Sequence, residues 1–191
     1  MKESPSTYNK IGMTLGQRGR LREAIEAFEH ALALKPDFAP AYHNLGLAWW
    51  RLGHVERAMA GFRRAIELDP TNVEPYCGLG QALVAEGREH DAVEVMRRSV
   101  AELPRSHKAH FTLGATLERV LAWDQAAASY RASIDLYPLH ADAYVRLARL
   151  CLFILDRPDE AVAALSVALE LEPNDPRVRA ALDEALAIVV R

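Results

Sequence analysis

Apolar positions along this chain fall at spacings of three, four and seven, and the whole pattern restarts about every 34 residues. In each restart an aliphatic residue is followed at once by a small one: Ile11-Gly12, Leu45-Gly46, Leu79-Gly80, Leu113-Gly114 and Leu147-Ala148. Three residues before each aliphatic stands an aromatic or histidine: Tyr8, Tyr42, Tyr76, His110 and Tyr144. Further along come Ala24, Ala58, Ala92, Ala126 and Ala161, and four residues after each a bulky side chain: Phe28, Phe62, Met96, Tyr130 and Leu165. A second small column closes the set with Ala31, Ala65, Ser99, Ser133 and Ala168. Such spacings put the apolar residues on one stripe of a helix. Small residues at fixed places let helices approach closely while bulky ones fill the grooves opposite. The pattern predicts two helices per restart.

Punctuation sharpens the elements. Gly19, Gly53 and Gly87 stand where the first helix of a pair must stop, and supply the left-handed cap. Pro36, Pro70, Pro104, Pro138 and Pro173 end the second helix, at steps of 34, 34, 34 and 35 residues. Each unit is thus a helix–turn–helix hairpin, and a fixed period of this length marks a repeat protein. Two units depart from the rest. The fourth has Leu121 at the turn glycine's place, followed by Trp123; the fifth carries one extra residue near Leu155-Asp156-Arg157-Pro158, which falls between its helices. Both read as local changes of turn.

These columns resemble the tetratricopeptide repeat (TPR). The unit with Tyr42, Leu45, Gly46, Trp49, Gly53, Ala58, Phe62, Ala65 and Pro70 matches that signature best. The resemblance implies an all-α fold, a right-handed α-solenoid or superhelix of five hairpins in a single array over 1–191. The units are assigned to 5–38, 39–72, 73–106, 107–140 and 141–175. A capping helix over 176–191 then covers the last hairpin, with Leu182, Leu186 and Val189 at helical spacing. Ser4-Pro5 and Asp175-Pro176 read as N-cap and first helical residue. Ile188, Val189 and Val190 make an apolar end, suited to further packing, to a dimer contact, or to a cut from a longer chain.

Charge and composition narrow the function. Formal net charge is −3, with +2 over residues 1–72 and −5 over the remainder. No basic stripe is visible, so a nucleic-acid partner is not expected. Cys77 and Cys151 share no motif spacing and fit buried thiols in a reducing compartment. The first residues lack an apolar signal core, and no apolar run reaches the length of a membrane span. A soluble cytoplasmic chain with no membrane insertion is expected. Of seven histidines, only His107 and His110 are spaced to meet on a helix face, with His107 read as a surface residue. No further ligand completes a metal set. No phosphate loop or catalytic signature occurs, so neither an enzyme nor a cofactor is expected.

Function is therefore sought on a binding face. In TPR proteins the first helices line a concave groove, and the resemblance places Asn9, His43, Asn44, Leu47, Trp50, Gln81, Lys108, Phe111, Arg146 and Arg149 along it. Cys77 and Phe153 fall at lining positions too. Trp50, Leu47 and Phe111 are not needed by the hairpin columns. They suit anchors for a bound peptide, though Trp50 also suits packing between neighbouring first helices. Asn44 and Gln81 can meet the backbone of an extended segment; Arg146 and Arg149 can meet a carboxylate on it. Arg149 can equally pair with Asp142 or Glu118. The family's clamp for acidic chaperone tails is disfavoured, since only Asn44 or Lys108 matches it in either register. The expected function is a non-catalytic scaffold or adaptor that binds a partner's peptide or helix in its groove. The alternatives are a self-assembly (homo-oligomer) module and a substrate-docking region of a larger enzyme.

Overall fold

The structure is a computed structural model describing residues 4–189. Eleven helices run through those residues: α1 (Pro5–Gln17), α2 (Leu21–Leu34), α3 (Ala39–Arg51), α4 (Val55–Leu68), α5 (Val73–Ala85), α6 (Glu89–Glu102), α7 (His107–Arg119), α8 (Trp123–Leu136), α9 (Ala141–Phe153), α10 (Pro158–Leu171) and α11 (Pro176–Val189). The chain divides between Leu103 and Pro104 into two compact units, α1–α6 and α7–α11. Within each unit consecutive helices pack on one another, giving an all-α solenoid of helical hairpins.

Local chemistry sets where helices begin and end. Ser4, Asn72 and Ser106 cap their helices by accepting from the backbone N–H of Thr7, Glu74 and Ala109. Asp175 accepts from the backbone N–H of Arg177 at 2.8 Å. Its side-chain bonds to Arg177, with that backbone N–H, hold its carboxyl down at about 2. Each second helix ends just ahead of its period proline. Lys35, Asp69, Leu103, Tyr137 and Glu172, the residues before the prolines, have all left the helical region (φ −145°, −143°, −127°, −146° and −127°). A following proline ring disfavours the helical region at that residue.

The small and bulky columns meet face to face. A Cβ on Gly12 would lie 2.5 Å from the Phe28 ring, one on Gly46 2.9 Å from Phe62, and one on Gly114 2.7 Å from Tyr130. The glycines are thus the space into which the rings fit. In the fifth hairpin both partners change together: Ala148 replaces the glycine and Leu165 the ring, and both are buried. Volume is conserved across the pair, the kind of exchange a packed core tolerates. Ala24, Ala58, Ala92, Ala126 and Ala161 have no exposed surface at all.

The turns follow one bonding pattern with one exception. Gly19, Gly53 and Gly87 have φ of 77°, 81° and 70°, and Leu121 takes the same left-handed conformation at 59°. The next N–H then reaches back five residues: Arg20 to the Leu15 carbonyl, His54 to Trp49, Arg88 to Leu83, Ala122 to Leu117. In the fifth hairpin the reach is six, from the Arg157 N–H to the Cys151 carbonyl at 2.8 Å, and Asp156 is left-handed at φ 51°. That is where the extra residue is absorbed. At the chain's far end α11 packs on α10 through buried Val178 and Ala185. Leu186, Ile188 and Val189 are exposed on it, and Val190 of that apolar run lies outside the described residues.

Candidate functional site

In the first unit, α1 and α3 lie side by side and leave a solvent-open hollow of about 250 Å³, with Met13, Asn44, Leu47 and Arg51 on its walls and the Phe28 ring at its base. Asn9 is buried, and its side-chain carbonyl accepts from the Asn44 amide at 2.9 Å. One Asn44 N–H is thereby committed within the protein. The Arg51 guanidinium donates at 2.8 Å to the Gly16 carbonyl at the end of α1, which also accepts from the Gly19 N–H at 3.1 Å. Leu47 is exposed beside these polar groups. His43 is half-buried with its ring 5.8 Å from that of Phe62, so it serves the packing of α3 on α4. Trp50 is half-buried and stands outside the hollow, and Gln81 is exposed on α5. Cys77 is buried, which removes it from any lining role.

In the second unit, Arg146, Arg149, Leu150 and Phe153 recur at the spacing of one helical stripe along α9. With Glu118, Trp123 and Ile154 they line a second hollow, of about 210 Å³. Glu118 accepts from the buried Tyr130 hydroxyl and pairs with Arg146 at 3.4 Å. Burial and that carboxylate both push the Tyr130 hydroxyl's pKa well up, so it stays a donor. Arg149 is exposed, and no carboxylate among the described residues reaches it, so the pairing with Asp142 or Glu118 open to it in the sequence does not form.

Phe111 does not stand clear as an anchor. Its ring lies 4.5 Å from that of His140 and 5.6 Å from that of Tyr130, within an aromatic cluster that includes His107 and Tyr137. His107 is therefore half-buried, not a surface residue. Burial, then the neighbouring His107, hold the pKa of His140 below its ordinary value. Lys108 is half-buried on α7. Cys151 is fully buried, and burial together with Glu160 lifts its thiol to about 11. Among the described residues no three metal-ligating side chains converge, and no helix is long and apolar enough to cross a membrane.

The sequence reading missed Glu118, Trp123 and Ile154 as wall residues. The signal was present, since Trp123 follows the odd turn at Leu121 and Ile154 adjoins the extra residue.

Family profiles described as tetratricopeptide repeat match residues 9–73, 62–94 and 122–185, and so take in α1–α5 and α8–α10. The chain belongs to the tetratricopeptide repeat family. No curated protein matches it. Among solved structures, the TPR protein TTC0263 of Thermus thermophilus is 26% identical, with 96% of this chain and 100% of that one covered and a TM-score of 0.68. MamA is 25% identical, with 87% and 97% covered and a TM-score of 0.72. YrrB, described as a TPR protein with an unusual peptide-binding site, shares the fold at 22% identity, with 91% and 89% covered and a TM-score of 0.68.

Proposed function

We propose that this TPR chain is a non-catalytic interaction scaffold that holds a peptide or helix of a partner protein against its first helices. The observation that carries the reading is the make-up of the two hollows. Each joins exposed apolar side chains to hydrogen-bonding groups: Leu47 beside Asn44 in one, Phe153 beside Arg149 in the other. Concave sites of that composition suit ligands with both side chains and a polar backbone. A TPR protein of the same fold, YrrB, is described as having a peptide-binding site, which supports the reading. Asn9, His43, Trp50 and Phe111 serve here as supports of the surface, and Asn44, Leu47, Arg146 and Arg149 as contacts.

The test is a comparative pull-down with the wild type and with Leu47→Glu and Arg149→Glu, each checked by thermal melting. Both positions are exposed, so the melts should differ by no more than about 0.5 kcal/mol. Recovery of at least one partner should fall about fivefold or more in one variant. Equal recovery of every partner by all three proteins would remove the first-helix faces from the proposal.

A further inference from the structure

The two departures from the repeat meet at one place. Trp123 opens α8 immediately after the left-handed Leu121–Ala122 turn, and Phe153 and Ile154 close α9 immediately before the extra residue. Arg157 from the enlarged loop pairs with Asp124 at 3.5 Å, tying that loop to the start of α8, and with Glu160 of α10 at 4.0 Å. The loop thus holds an apolar wall of Trp123, Phe153 and Ile154 beside the guanidinium of Arg149. Phe153 is 55% exposed and Ile154 47%, an arrangement that no packing within the unit requires.

We infer that this hollow recognises an acidic side chain two residues from a large apolar one on an extended segment of a partner protein. The inference rests on the scaffold reading above and names the ligand chemistry of its second hollow. Charge decides the polar half. Arg146 is balanced by Glu118, whereas Arg149 has no counterion among the described residues, so the hollow carries one uncompensated positive charge. A carboxylate matches that single charge and can take paired N–H bonds from the guanidinium. A phosphate would bring nearly two negative charges beside Glu118, with only one cation left to receive them. Shape decides the apolar half. Arg149, Leu150 and Phe153 follow each other along one face of α9, about one turn from charge to ring. Side chains two apart on an extended segment share one face and lie about 6.5–7 Å apart, a comparable length.

The experiment uses the full chain labelled with nitrogen-15 and reads the three tryptophan indole N–H signals. Trp123 reports on this hollow, and Trp49 and Trp50 report on the first unit. The probes are four blocked hexapeptides, titrated into the millimolar range. One, the Phe-Glu peptide, carries Phe-Ala-Glu at its centre; the Phe-Gln, Ala-Glu and Phe-phosphoserine peptides carry Phe-Ala-Gln, Ala-Ala-Glu and Phe-Ala-phosphoserine. The Phe-Glu peptide should shift Trp123 in a saturable, salt-sensitive way and bind about five- to tenfold more tightly than the Phe-Gln and Ala-Glu peptides. In Arg149→Gln, which lies on an exposed face, the preference for Phe-Glu over Phe-Gln should vanish. The inference fails if Trp123 does not move, if Phe-Glu and Phe-Gln bind alike, or if the phosphoserine peptide binds best. A shift confined to Trp49 or Trp50 would overturn this assignment while leaving the scaffold reading standing.

Discussion

Leu121 is a leucine doing a glycine's task. Its φ of 59° matches the turn glycines at 70° to 81°, but an L side chain with a Cβ meets the carbonyl there at a cost of roughly 1–2 kcal/mol. The side chain is 66% exposed, so little burial offsets the cost. Replacing it by glycine adds freedom to the unfolded chain and takes back part of the gain, about 0.4–1 kcal/mol. Leu121→Gly should therefore raise stability by about 0.5–1 kcal/mol, read as a higher urea midpoint at unchanged slope. A lower midpoint would mean that the leucine's remaining contacts outweigh its backbone strain. The sequence made the substitution visible because the other turns spell out what belongs at that position. What it concealed was that the turn keeps its form and that Trp123, two residues on, stands in a hollow wall.

At the scale of helices, the distance between α3 and α4 is set by backbone against backbone. A Cβ on Gly61 would lie 2.9 Å from the Tyr42 carbonyl oxygen and 3.0 Å from the Gly46 Cα, neither of which can swing aside. Gly61→Ala should cost about 1–3 kcal/mol by overpacking, even though alanine is the better helix former by up to about 1 kcal/mol. Gly80 is the control. There the nearest atom is the Met96 sulfur at 3.3 Å, on a flexible side chain, so Gly80→Ala should be neutral or mildly stabilising. Thermal melting of both variants checks the pair; equal effects would show that the α3–α4 approach is not what limits Gly61. The hairpins were legible in the sequence because each column is a volume constraint repeated several times, and the exchange to Ala148 and Leu165 shows the constraint acting on the pair. Gly61 escaped notice because it falls outside the repeating columns: its neighbours at the same step are Ala27, Val95 and Ser129. Site residues were less legible for a similar reason. Phe111 and Asn9 stand at lining positions, yet a ring cluster and an amide pair claim them, and neither contact belongs to the repeat.

For the whole molecule, the period implies one array over 1–191, and in each of two compact units, α1–α6 and α7–α11, consecutive helices pack on one another. A regular spacing reports that hairpins are alike; it carries no information on what their outer faces meet, because that depends on side chains between the columns. The same limit bears on self-assembly, which the sequence left open through its apolar end. On α11, Leu186, Ile188 and Val189 are 43%, 40% and 41% exposed. Three side chains, each less than half exposed, make a patch no larger than the roughly 300–600 Å² one of an ordinary monomer. A stable interface buries about 1,000 Å² or more in total, and Asp183 and Glu184 interrupt the outer face of that helix. Sedimentation equilibrium at tens of micromolar should accordingly return the monomer mass, with Ile188→Lys indistinguishable from the wild type. A dimer forming in the micromolar range, and lost in that variant, would make α11 an interface between copies and reduce the hollows to a secondary surface.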